Sequence, residues 1–162
     1  MNEVLRGAVA GLAGTAVMSG VMALAKKAGL MAGEPPPRTV ARNFEEAIGV
    51  RDDLPQPAFE ASWVGQHFAY GTAAGVAYTL ARGHFKVSEP LPAGPLFGTA
   101  LWAFGYVGWL PATGLYPPPT AEPRRRVATL IAAHLVYGTA TAAVARLLDP
   151  ENHECPRRNG LS

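Results

Sequence analysis

Four stretches of this chain, at about residues 4–25, 62–81, 94–110 and 127–148, carry almost no charged residue. Each is close to the roughly 20 apolar residues that cross about 30 Å of hydrocarbon at about 1.5 Å per residue. A backbone in lipid must satisfy its own N–H and C=O groups, so each stretch is predicted to be a helix. The expected fold class is all-α: an integral membrane four-helix bundle over residues 1–148, followed by a disordered polar tail over 149–162. Only 16% of the 162 residues are Asp, Glu, Lys or Arg, against about 25% in a soluble domain. A signal peptide is the competing reading of the first stretch, with Met1 to Arg6 as its charged start and Ala23-Leu24-Ala25 as a cleavage site. The glycine spacing that this stretch shares with the others favours a retained helix.

Small residues recur four apart: Gly7 with Gly11, Gly71 with Gly75, Gly94 with Gly98, and Gly138 with Ala142. Lipid supplies little hydrophobic drive between helices, so close backbone approach at such positions is expected to supply the packing. Every stretch also contains Gly-Thr-Ala, beginning at Gly14, Gly71, Gly98 and Gly138. Its Thr can bond back to its own helix or across to a neighbour.

The connections are rich in proline. The first contains Pro35-Pro36-Pro37-Arg38, then a short amphipathic segment over residues 39–50. Val40, Phe44, Ala47 and Ile48 share one helical face there, with Arg42, Glu45 and Glu46 elsewhere, which predicts a helix lying in the bilayer interface. The third connection carries Pro117-Pro118-Pro119 and then Arg124-Arg125-Arg126.

An internal repeat links the second and fourth stretches. His67-Phe68-Ala69-Tyr70-Gly71-Thr72-Ala73 aligns with His134-Leu135-Val136-Tyr137-Gly138-Thr139-Ala140. The reading is two parallel helix-pair halves, related by an axis along the membrane normal. Both histidines then lie at similar depth, each four residues before a glycine and hence on the small-residue face. An ionisable side chain inside a membrane is a functional candidate. His67, His134, Tyr70, Tyr137 and Gln66 form the candidate polar site. Three roles compete for the histidines: hydrogen-bonded staples between helices, lining of a polar cavity, and ligation of haem or a metal. The stripe Trp102, Tyr106 and Trp109 reads as packing or lipid-facing surface, and Trp63 and Trp109 as interfacial belt residues.

Several classes are excluded. No catalytic triad or phosphate loop occurs, and no stretch contains an Asp or Glu for a proton relay. Cys155 is the single cysteine, so there is neither a disulfide framework nor a four-ligand zinc site. Net charge is +2 with no aromatic-studded basic patch, so nucleic acid is not a partner. No catalytic residue, metal site or cofactor is assigned. The expected partners are the bilayer itself and a membrane protein or a second copy of the chain.

The first stretch with Pro35-Pro36-Pro37-Arg38, the His67 region, Gly114-Leu115-Tyr116-Pro117-Pro118 and Ala133-His134-Leu135-Val136-Tyr137 together resemble the YagU-like bacterial inner-membrane proteins, a domain of unknown function. The resemblance implies a multi-pass protein of the bacterial cytoplasmic membrane with both termini cytoplasmic. Lys26, Lys27 and Arg124 to Arg126 instead favour cytoplasmic first and third connections, so orientation stays open. The expected function is a non-enzymatic structural or accessory membrane protein. The alternative is a small-molecule membrane protein, either a haem- or quinone-binding subunit or a minor transporter, built on the histidine pair.

Overall fold

The computed structural model describes residues 1–85 and 90–149, and every regular element among them is helical. The expected disordered tail lies outside the described residues from 150 onward. Helix α1 (Glu3–Lys27) starts at Asn2, whose side chain accepts the Leu5 N–H at 2.8 Å. Glu3 in its first turn and Lys26 and Lys27 in its last match the helix dipole. Helix α2 (Pro36–Ala47) begins three residues before the expected 39–50. Pro36 and Pro37 occupy its first turn, where a missing N–H costs nothing.

Helix α3 (Gln56–Phe85) starts about two turns before the expected residue 62, and α6 (Arg124–Leu147) starts close to its expected place. The third stretch departs most from expectation. It is not one regular helix over 94–110. Helix α4 (Pro90–Trp102) runs into a π segment (Ala103–Trp109) and then the single turn α5 (Leu110–Ala112). Pro111 has no N–H for the Val107 carbonyl, and its ring crowds that carbonyl. The Leu110 N–H bonds Gly105 O instead, five residues back, and Gly108 leaves helical geometry at φ −97°, ψ −106°. A 3-10 turn (Pro119–Ala121) leads into α6.

Helices α1 and α6 are long and apolar enough to cross a membrane. Gln66, His67 and several Tyr, Thr and Gly residues dilute α3, and the π register divides the α4 segment.

Helix α1 packs on α3, α4 packs on α6, and α1 packs on α6. Glycine makes both outer pairs possible. A Cβ on Gly7 would lie 2.6 Å from Val76 Cα, and one on Gly11 would lie 2.9 Å from Gly75 Cα. Likewise, a Cβ on Gly94 would meet Gly138 O at 2.7 Å, and one on Gly138 would meet Gly98 N at 2.7 Å. Gly75 and Gly98 stand equally close to the backbone of the helix opposite, and Gly71 makes room for the Thr15 side chain. The backbones therefore touch with no side chain between them. Three of the four tripeptide threonines bond back to their own helices. Thr15, Thr99 and Thr139 donate to the Gly11, Pro95 and Leu135 carbonyls at 2.7–2.9 Å.

The helices diverge towards the α2 end. At the opposite end Asp149 pairs with Arg6 at 3.0 Å and with Arg82 at 3.7 Å, gathering α1, α3 and the end of α6. The outward surfaces are apolar, with Leu5, Leu12, Leu24, Leu96, Phe104 and Leu147 exposed.

Candidate functional site

At the α2 end the diverging helices leave a cavity of about 460 Å³. Met18, Met22, Leu101, Leu110 and Leu130 supply much of its wall, and Trp63, Tyr70, Tyr106 and Trp109 add aromatic faces. Helix α2 and the proline run Pro35 to Pro37 roof it. All five residues of the candidate polar site, Gln66, His67, Tyr70, His134 and Tyr137, line this one space.

The helix starts explain why the histidines meet. His67 is the twelfth residue of α3 and His134 the eleventh of α6, so the two lie at matching depth. The Tyr137 hydroxyl donates to the Gly71 carbonyl at 2.6 Å, which fixes α6 level with α3 at the cavity floor. The two imidazoles are nevertheless unlike. His134 Nδ1 lies 2.8 Å from the Leu130 carbonyl of its own helix. Tyr106 stands edge-on to the ring, centroids 5.8 Å apart at 85°. His67 reaches to α1, with Nε2 3.3 Å from Ser19 Oγ. Tyr70 keeps 42% of its surface and faces Trp109, with ring centroids 6.4 Å apart. The repeated sequence thus places the same residues on the same face, but the neighbours give them different partners.

Glu45 is the residue that sequence reasoning misplaced. Periodicity sets it off the apolar face of α2 with Arg42 and Glu46, with no packing role. It is only 3% exposed, pressed against α3, where Ser62 Oγ donates to it at 2.5 Å and Gln66 Nε2 at 3.1 Å. The available signal was the polar pair Ser62 and Gln66, one turn apart in the first half of α3. Pro36 and Ala41 share its buried face, while Phe44 and Ile48 point outward. Ser19 went unremarked because a lone serine in an apolar helix has no distinguishing pattern.

The roof is held by charge. Arg126 donates to the Ala32 carbonyl, to the Glu34 carbonyl at 2.8 Å and to the Tyr116 hydroxyl at 2.9 Å. It also meets Glu122 at 2.8 Å. Burial, reinforced by donation to Glu122, pushes the Tyr116 phenol up to about 12 against the opposing Arg126 charge. Glu34 pairs with Arg38 and, at 2.6 Å, with Arg42. Partial burial would raise its carboxyl, but the Thr39 hydrogen bond and the two guanidinium groups outweigh that and lower it. Glu60 binds Arg38 at 2.7 Å and accepts the Trp63 indole N–H at 2.6 Å. Arg38 first and Trp63 second hold its carboxyl down at about 2. The proline-rich connection is thereby clamped to the starts of both α3 and α6.

What this geometry offers is an apolar chamber with a few fixed polar atoms, the usual form of a small-molecule site. No protein among the curated sequences and no solved structure matches the chain. A family model described as "Family of unknown function (DUF6789)" matches residues 1–154, a span that takes in the cavity, its roof and both histidine helices. The chain therefore belongs to this family of unknown function.

Proposed function

We propose that this chain is a multi-pass membrane protein that binds, without converting, a small lipophilic molecule with a polar head. The observation that carries the reading is the 460 Å³ cavity, apolar in its walls and provided with His67 and His134 at one depth. The reading takes the alternative function from the sequence, the small-molecule protein, over a purely structural bundle. A staple needs no empty volume, and packing alone would close one.

The four-span topology is part of the proposal. The exposed leucines of α1 and α4 support it, as does the outward apolar edge of α2, with Phe44 and Ile48 set to lie in the bilayer interface. Parallel helix-pair repeats are supported by α1–α3 and α4–α6 packing through the same glycine device. The bacterial cytoplasmic membrane as the location is supported by the resemblance of the sequence to YagU-like proteins and by the two apolar helices α1 and α6. Among the described residues, α3 and α4 meet at the Tyr78 and Phe97 rings, centroids 5.1 Å apart, but lack the close backbone contact of the other neighbours. The side between α3 and the π segment, where Tyr70 faces Trp109, is then the entry from the lipid.

Tryptophan fluorescence tests the reading, because Trp63 and Trp109 line the cavity. Protein in lipid nanodiscs is titrated with ubiquinone-1, a flat lipophilic quencher. Saturable quenching is expected, and Gly105→Leu should weaken it by filling the cavity. A Cβ there has only Leu110 Cδ1 nearby, at 3.8 Å, so the space is open. Linear quenching that is identical in wild type and variant would refute the site and leave the structural or accessory role. A Soret band in the purified protein would instead point to haem.

A further inference from the structure

The two nitrogens of His134 have different fates, and the difference specifies the ligand. We infer that the cavity selects a head group that donates a hydroxyl hydrogen, a hydroquinone or similar phenol, over the corresponding carbonyl-bearing quinone. The inference rests on the proposed binding role and names the chemistry of the molecule bound.

The Leu130 carbonyl can only accept a hydrogen bond, so the proton of His134 sits on Nδ1. In a neutral imidazole the other nitrogen is then an acceptor. Nε2 makes no hydrogen bond to the described residues, and His134 lines the cavity. The ring is also held in place. The bond to its own helix fixes one edge, and the edge-on Tyr106 ring fixes the orientation. His134 therefore offers a preorganised lone pair inside an apolar chamber, and what satisfies it is a donor.

The remaining surroundings narrow the donor. An ammonium group would call for a carboxylate in the cavity wall. Glu34, at the mouth, is already engaged by Arg38 and Arg42. A carboxylate ligand would call for a cation, and Lys26 stands exposed at the rim of the cavity. A neutral hydroxyl fits the interior. Tyr106, Trp109 and Leu130 beside His134 present flat apolar surface to an aromatic ring. Trp109 Nε1, buried with no partner among the described residues, can donate to a hydroxyl or a carbonyl oxygen alike, and the His67–Ser19 pair can exchange donor and acceptor roles, so both accommodate a second oxygen of either kind. Discrimination thus falls to His134. A site built to hydrogen-bond a hydroxyl rejects analogues that lack it, because its own polar atom is left buried and unpaired.

The test uses three ligands of nearly equal shape: tetramethylhydroquinone, its dimethyl ether and the parent quinone. Each is measured by anaerobic equilibrium dialysis against the full chain in nanodiscs. The hydroquinone should bind about tenfold or more tightly than the other two. In His134→Leu that preference should collapse towards unity. Should that variant not fold, the comparison on the wild-type chain decides alone. If ether and quinone bind as tightly as the hydroquinone, the inference fails while the cavity stands as a binding site. If none of the three saturates, the binding role itself falls.

Discussion

Two glycines of α3 make a sharp test of how this fold is held together. At Gly65 a Cβ would meet nothing within 4 Å. At Gly75 it would lie 2.5 Å from Gly7 O and 2.6 Å from Gly11 N, both backbone atoms of α1. Alanine is favoured over glycine within a helix by about 0.5–1 kcal/mol, and both sites gain that term. Gly65→Ala should therefore stabilise by about that amount. Gly75→Ala must push α1 and α3 apart by nearly 1 Å to restore ordinary contact at about 3.4 Å. A gap of 0.5–1 Å forfeits a quarter to a half of each neighbouring contact, worth about 0.1–0.2 kcal/mol apiece, along the whole interface. Forced overpacking of this kind costs about 1–3 kcal/mol. The net expectation is a loss of about 1–2 kcal/mol for Gly75→Ala. Equilibrium unfolding in mixed micelles, followed by far-ultraviolet circular dichroism, measures both variants. Equal shifts for the two alanines, or a Gly75→Ala variant as stable as wild type, would refute backbone contact as the basis of the α1–α3 pair.

Glu60 has its carboxyl lowered from 4.5 to about 2, so the Arg38–Glu60 link contributes fully above pH 4.5 and is lost as the pH falls towards 2. Thermal midpoints should fall across that window, and Glu60→Gln should flatten the fall; an unchanged acid limb would count against the clamp. Arg126→Ala removes four bonds, two to the first connection and two within the third, and should destabilise by about 2–3 kcal/mol. Faster proteolysis at residues 28–35 checks it, and an unaltered rate would show the roof is held elsewhere. Single cysteines at Gly49 and Gly83, each in a Cys155→Ser background, should label from opposite sides of the membrane, because α3 runs between them; labelling from one side would remove α3 as a span.

The helices and their glycine faces were legible in the sequence because both follow from local periodicity. Residues four apart share a helical face wherever the helix goes, so Gly7 and Gly11, Gly71 and Gly75, and Gly94 and Gly98 could be recognised as close-approach surfaces before any partner was known. The matched depth of His67 and His134 followed in the same way, from their distance to the helix starts. The π register did not, although its cause, Pro111, stands in the sequence. Whether a proline kinks, ends or rewinds a helix depends on what the displaced carbonyl meets. Only the tertiary structure decided the cavity. It exists because, among the described residues, α3 and the α4 segment lack close backbone contact and α2 folds back over the gap, and both depend on how whole helices pack. The same folding back buried Glu45, which periodicity sets off the apolar face of α2, while α1 and the π segment give the two repeated histidines different partners. Sequence sets which face a side chain is on, and the neighbouring helix decides what that face meets.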